Sequence, residues 1–75
     1  MTQVPILKPK DVVKALTSLG WEVARQRGSH IILVKENHPA SLSVPNHPEV
    51  ARGTLRALLD RAGVSLDEFL AALKR

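Results

Sequence analysis

The spacing of hydrophobic residues along the chain changes period twice. In "PKDVVKALTSL", Val12, Val13, Leu16 and Leu19 recur at helical spacing, with Lys10, Lys14 and Ser18 opposite. Pro9 suits the first turn of that helix, and Gly20 is placed to end it. Over "WEVARQ" the period drops to two. Trp21 and Val23 fall on one face and Glu22, Ala24 and Gln26 on the other, which predicts a strand. Gly28 supplies a turn, and residues 29–35 form a second strand that is apolar on both faces. "ENHPA" is turn chemistry. A third strand runs from Ala40 to Val44, with Leu42 and Val44 inward, Ser41 and Ser43 outward, and Pro45 stopping the ladder.

After the loop "PNHPEVARG" the helical spacing returns. Leu55, Leu58, Leu59 and Ala62 form one stripe, Thr54 is the expected cap and Gly63 the stop. "SLDE" is a capping box from Ser65 to Glu68, with Val64 and Phe69 at the positions of a hydrophobic staple. The third helix turns Leu66, Phe69, Leu70 and Leu73 inward.

The order is therefore α-β-β-β-α-α. It predicts an α+β fold, a three-stranded antiparallel sheet with helices on one face. With 75 residues and no repeat, linker or low-complexity tract, residues 1–75 are expected to be a single domain with a modest core. The middle strand leaves a remainder, because helices on one side cannot cover both of its apolar faces. Its second face, either Ile31 with Leu33 or Ile32 with Val34, calls for cover from another chain. Scattered exposed apolar residues are the ordinary alternative.

Composition narrows the function. An apolar content of 44% excludes a disordered chain. The absence of cysteine excludes a disulfide framework, a thiolate zinc site and a cysteine nucleophile. No stretch approaches the roughly 18 apolar residues of a membrane span. "MTQVPILKPK" lacks the features of a signal peptide, so a cytoplasmic location is expected, with no membrane partner. The net charge of +4 and pI of about 10.1 favour a polyanionic partner: RNA, DNA or an acidic protein surface. One Trp, one Phe and no Tyr argue against a platform on which bases stack.

The chemistry concentrates in "RQRGSH". His30 stands at the mouth of a strand behind Gly28 and Ser29, close in sequence to Arg25 and Arg27. Histidine exchanges protons near neutral pH. Beside guanidinium groups that hold a phosphate, it could deprotonate a ribose 2′-OH for attack on the adjacent phosphorus. A histidine hydrogen-bonded within a turn is the simpler account of the local sequence. His38 and His47 also lie in turn-rich segments. The H-x-E of His47 and Glu49 lacks the P-C-x-x-C partner of a zinc deaminase, and no trusted metal-ligand spacing occurs. There is no glycine-rich nucleotide cradle. "ARGTLR" opens a helix whose N-terminus could hold a phosphate between Arg52 and Arg56, the alternative being Arg56 paired with Asp60 at i, i+4. Lys10, Lys14, Arg25, Arg27, Arg52 and Arg56 are the candidate phosphate contacts.

"GSH" opening the second strand, "VPNH" closing the third and "GTLRALLDRAGVSLDEFL" through two helices together resemble the HicA toxin family. These are small messenger-RNA interferases of bacterial and archaeal toxin–antitoxin pairs. The resemblance runs from about Lys8 to about Leu73. It implies a double-stranded-RNA-binding-domain-like fold, α-β-β-β-α, to which this chain adds a C-terminal helix. It implies endoribonuclease activity with the G-S-H histidine, here His30, as the catalytic residue. Gly28 and Ser29 form the active-site turn, and His47, at the P-x-H position, has a second catalytic or a structural role. The implied partners are messenger RNA and a HicB-type antitoxin; no metal or small-molecule cofactor is expected. The chain departs from the pattern in "HII", where a second polar or aromatic residue often follows the histidine. A non-catalytic RNA-binding module and a basic protein-interaction module remain alternatives. Only the first function needs His30, and RNA cleavage with and without EDTA separates it from the others.

Overall fold

The computed structural model describes residues 4–74. Its elements are α1 (Pro9–Ser18), β1 (Glu22–Arg27), β2 (His30–Val34), β3 (Leu42–Pro45), α2 (Arg52–Ala62) and α3 (Leu66–Leu73). The strands form one antiparallel sheet in the order β1-β2-β3. This is the expected α-β-β-β-α-α arrangement, and it is compatible with a double-stranded-RNA-binding-domain-like fold.

α1 starts without a side-chain cap, its Pro9 filling the first turn. It buries Pro9, Val12, Ala15 and Leu16, while Val13 and Leu19 are half-buried. The buried stripe thus centres on Ala15 rather than on Val13. The helix closes in a Schellman motif. The Gly20 N–H donates to the Thr17 carbonyl (3.1 Å) and the Trp21 N–H to the Leu16 carbonyl (3.0 Å). That closure needs the left-handed backbone Gly20 adopts, φ +100°. It drops Trp21 into the core, 1% exposed, just ahead of β1 rather than within it.

The core lies on one face of the sheet. Leu33 of β2 and Leu42 and Val44 of β3 are fully buried with Leu16, Leu55, Phe69 and Trp21. Ser41 and Ser43 are exposed, as their alternation predicts. β2 is shorter than expected, because Ser29 belongs to the turn. β3 begins at Leu42 and includes Pro45 as its last residue, opposite His30. Proline is tolerated there because only the strand's end gives up its donor.

α2 starts earlier than Thr54. The Val50 N–H donates to the Leu7 carbonyl (2.7 Å), pairing Val50 with the segment before α1. The chain is therefore still extended at Ala51, and Arg52, Gly53 and Thr54 form the first turn. Thr54 is not the cap; Ala51 stands there, with no side-chain hydrogen bond. The stripe Leu55, Leu58, Leu59 and Ala62 is buried, and Gly63 closes the helix. α3 carries the capping box: the Glu68 N–H donates to Ser65 Oγ (3.1 Å) and the Ser65 N–H to Glu68 Oε1 (3.2 Å). Phe69 is fully buried and Val64 half-buried, as a staple requires. Ala72, rather than Leu66, Leu70 or Leu73, is the second buried residue of α3.

Two substitutions separate packing from capping. Leu33→Ala should cost about 2–5 kcal/mol through lost contact and a residual cavity. Ser65→Ala should cost only about 1 kcal/mol. Urea unfolding of both variants checks the ranking.

Candidate functional site

The site begins with a hairpin of two turn residues. Arg27 and His30 are paired across Gly28 and Ser29. Of the two turn residues Gly28 has a positive φ, +56°, and Ser29 does not, which fits a type II′ turn with glycine at its first central position. A Cβ there would meet nothing within 4 Å, so the requirement for glycine is one of backbone alone.

This turn decides which side chains share a face, since directly opposed residues point the same way. Ile31 and Leu33 pack toward the helices. His30, Ile32 and Val34 therefore line the sheet's open face. Arg27 lies opposite His30, and Pro45 flanks His30 from β3. In the next row Arg25, Ile32 and Ser43 are aligned, and in the row after that Glu22 faces Val34. The open face thus reads, across the sheet, Arg27–His30–Pro45, then Arg25–Ile32–Ser43, then Glu22–Val34. Of the two faces open to the middle strand from its sequence, the uncovered one is Ile32 with Val34, and Val34 is 40% exposed.

β1 could not do this as a regular strand. Strict alternation would put Val23 on the face of Arg25 and Arg27. The register shifts between Val23 and Arg25, leaving Ala24 as an extra residue in a β-bulge. The shift turns Val23 to the helix side opposite Leu33, while both arginines stay with His30. Trp21 and Val23 do share the helix side, Trp21 buried and Val23 51% exposed, but Gln26, expected on the other face with Glu22, lies opposite Ile31 on the helix side as well.

The loop after β3 joins the same end of the sheet. The Asn46 N–H donates to the Ser29 carbonyl (2.6 Å), tying loop to turn. His47 follows, exposed. Chain geometry holds its Cα within roughly 13 Å of that of His30. His38 has a different use. The Ala40 N–H donates to its Nδ1 (3.2 Å), and its ring packs against Trp21 with centroids 4.9 Å apart. It is the structural turn histidine.

The other candidate cations are distributed elsewhere. Lys10 and Lys14 border a groove of about 530 Å³ between α1 and the helix side of the hairpin, floored by Val13, Val23 and Ile31. Arg52 Nε donates to the Val4 carbonyl (2.9 Å), which fastens the N-terminal segment to α2. Arg56 lines a cleft with Asp60, Val64 and Leu66. The structure joins Arg25, Arg27 and His30 on one face and leaves Lys10, Lys14, Arg52 and Arg56 outside it. Sequence reasoning missed Glu22, Ser43 and Pro45. Counting pairs outward from a two-residue turn at Gly28–Ser29 reaches Arg25 opposite Ile32, but not Glu22, which the bulge at Ala24 displaces by one residue, nor Ser43 and Pro45, whose register belongs to the β2–β3 ladder.

No group of three or more His, Cys, Asp or Glu side chains among the described residues could hold a metal ion. No helix among them is long and apolar enough to cross a membrane. Residues 9–64 match the family model described as HicA toxin of bacterial toxin–antitoxin. The match covers α1 to the end of α2, including the turn, His30 and His47, and stops before α3. No curated protein matches the chain.

Gly28→Ala should lose about 1–2 kcal/mol of stability, the cost of a Cβ in left-handed backbone. It should also shift the amide resonances of Arg27, His30 and Asn46 while leaving those of α3 in place. Unfolding by urea and a two-dimensional amide spectrum check both effects.

Proposed function

The chain belongs to the HicA toxin family of bacterial toxin–antitoxin systems, and from that premise we propose that it is a metal-independent endoribonuclease that cleaves messenger RNA with His30 as its catalytic residue. The observation that carries this function is the exposed His30 directly opposite Arg27 on an open sheet face. A strand holds the imidazole more rigidly than a loop would, and the guanidinium beside it suits a phosphate. His30 takes the proton of a ribose 2′-OH. The 2′-oxygen then bonds to phosphorus, and the bond from phosphorus to the 5′-oxygen breaks. Arg27 offsets the charge that grows on the non-bridging oxygens. The leaving 5′-oxygen gains a proton from His47 or from water. The products are a 2′,3′-cyclic phosphate and a 5′-hydroxyl, and no cofactor enters the sequence.

Gly28 and Ser29 act as the active-site turn by fixing the register. Arg25 and Arg27 hold RNA on the reacting face. Lys10, Lys14, Arg52 and Arg56 add long-range attraction from the flanks. The unit acting is residues 1–75 as one domain, in the cytoplasm, where its message substrates are.

A toxin of this kind has a pairing partner. Here that partner is a HicB-type antitoxin docking on the open face, where Ile32 and Val34 form an apolar centre beside Arg25, Arg27 and His30. Docking there hides the histidine without changing the fold. Rim charges mainly speed association, while an apolar centre slows release. Arg27→Ala should lower the on-rate and its salt dependence, and Val34→Asp should mainly raise the off-rate. Surface plasmon resonance at two salt concentrations distinguishes them. An antitoxin complex in which RNA cleavage is undiminished would end the masking role.

His30→Ala should reduce RNA cleavage by about 10²–10⁴ with its unfolding curve preserved, because the side chain is exposed. Wild-type cleavage should persist in EDTA, leave a 2′,3′-cyclic phosphate and stop when the scissile nucleotide is 2′-deoxy. Cleavage by His30→Ala at the wild-type rate, or of all-DNA substrate, would contradict the assignment.

A further inference from the structure

Given ribonuclease chemistry at His30, as proposed above, we infer that Arg25 is a second phosphate subsite and that Glu22 ends the footprint, so that the open face grips an extended single strand at two successive phosphates. The ladder geometry sets the spacing. Arg25 and Arg27 are two residues apart on the same face of β1, past the bulge. Two residues of strand span about 6.7 Å. That matches the span between successive phosphates of an extended single strand. The backbone of the RNA therefore runs along β1. Its scissile phosphate lies in the row of Arg27 and His30, and a neighbouring phosphate lies in the row of Arg25.

The same rows place the nucleoside between these phosphates. In the second row, Ile32 and then Ser43 extend from Arg25 toward β3. Ile32 is half-buried and offers an apolar surface to a base or ribose, and Ser43 offers a hydroxyl at its edge. Neither aromatic side chain can serve here, because Trp21 and Phe69 are buried. Contact with the base is thus apolar and sequence-tolerant, and grip comes from the backbone.

Glu22 makes the subsite finite. It is next on the open face of β1 after Arg25, opposite Val34, and it is exposed. A third phosphate carried along β1 would meet a carboxylate. The sign of charge along this face therefore runs plus, plus, minus from the hairpin tip. An all-basic strand would have bound polyanions without register. This one favours the alignment in which the scissile phosphate lies at the tip, beside His30.

The test uses short RNAs with one cleavable linkage: a dinucleoside monophosphate, two trinucleotides carrying one extra phosphate on the 5′ or the 3′ side, and the corresponding tetranucleotides. Extra linkages are protected by 2′-deoxy substitution. One trinucleotide should exceed the dinucleotide by about tenfold in kcat/KM, the gain lying in KM. Arg25→Ala should bring that ratio close to one. Arg27→Ala should keep the ratio and lower kcat on both substrates. The tetranucleotide extended on the favoured side should gain nothing further in the wild type and about twofold in Glu22→Gln. A ratio that survives in Arg25→Ala, or two trinucleotides no better than the dinucleotide, would overturn the subsite. The same ladder measured as binding to His30→Ala separates the subsite from the chemistry. Graded affinity that Arg25→Ala removes supports the subsite even if the wild type cleaves nothing. Equal affinity for all lengths overturns it even if cleavage is rapid.

Discussion

The pairing of Arg27 with His30 across two turn residues is the constraint on which the open face of the sheet depends. Side chains alternate along a strand with a period of two, so a hairpin loop longer by one residue would move every residue of β1 to the opposite face relative to β2. The turn is short enough to leave no slack, and Gly28 takes the positive φ that keeps it short. From that pair outward the first rungs of the hairpin follow, Gln26 with Ile31 and Arg25 with Ile32, and the separate β2–β3 ladder adds Pro45 beside His30 and Ser43 beside Ile32. The hydrogen bond from Asn46 to the Ser29 carbonyl fixes the third strand to the same turn. A local backbone requirement of one glycine is thereby converted into the composition of a surface.

That surface conflicts with packing at one point, and the bulge at Ala24 is the resolution. The Schellman closure of α1 delivers Trp21 to the core, and Val23 follows it two residues later on the helix side. The turn, working from the other end, requires Arg25 to face outward. Strict alternation over the six residues of β1 cannot meet both demands. One additional residue satisfies both, at the cost of an unpaired position on an edge strand, where such a cost is small. A bulge also twists the edge and discourages pairing with another chain.

How much of this was legible in the sequence depended on the range of the signal. The capping box at Ser65, the staple of Val64 and Phe69, the stop at Gly20 and the leucine stripe of α2 are encoded within a few residues and were read correctly. Thr54 was misread as a cap because the true start of α2 is set by the pairing of Val50 with Leu7, more than forty residues away in sequence. The plain alternation assigned to Trp21–Gln26 failed for the same reason, since the bulge answers a cross-strand demand. Arg25, Arg27 and His30 were legible as neighbours in sequence. That they share a face, while Lys10 and Lys14 border a separate groove, follows only from the register.

The division between the two faces explains how so small a chain can hold titratable groups on a rigid sheet. Among the described residues the fully buried side chains are hydrophobic, Trp21 with its buried indole N–H included, and they lie on the helix side of the sheet. Nothing on the open face is needed to close that core: His30, Arg25 and Arg27 are exposed, and Ile32 and Val34 stand outside the packed cluster. Polar and titratable groups can therefore be placed there without the cost of burying them. The same arrangement leaves the face chemically unprotected. An apolar centre flanked by two cations and an imidazole is formed outside the core, so under the proposed function a partner that occupies it needs no conformational change in the chain. Masking, on that proposal, works by occupancy alone, because the open side of the sheet was never part of its core.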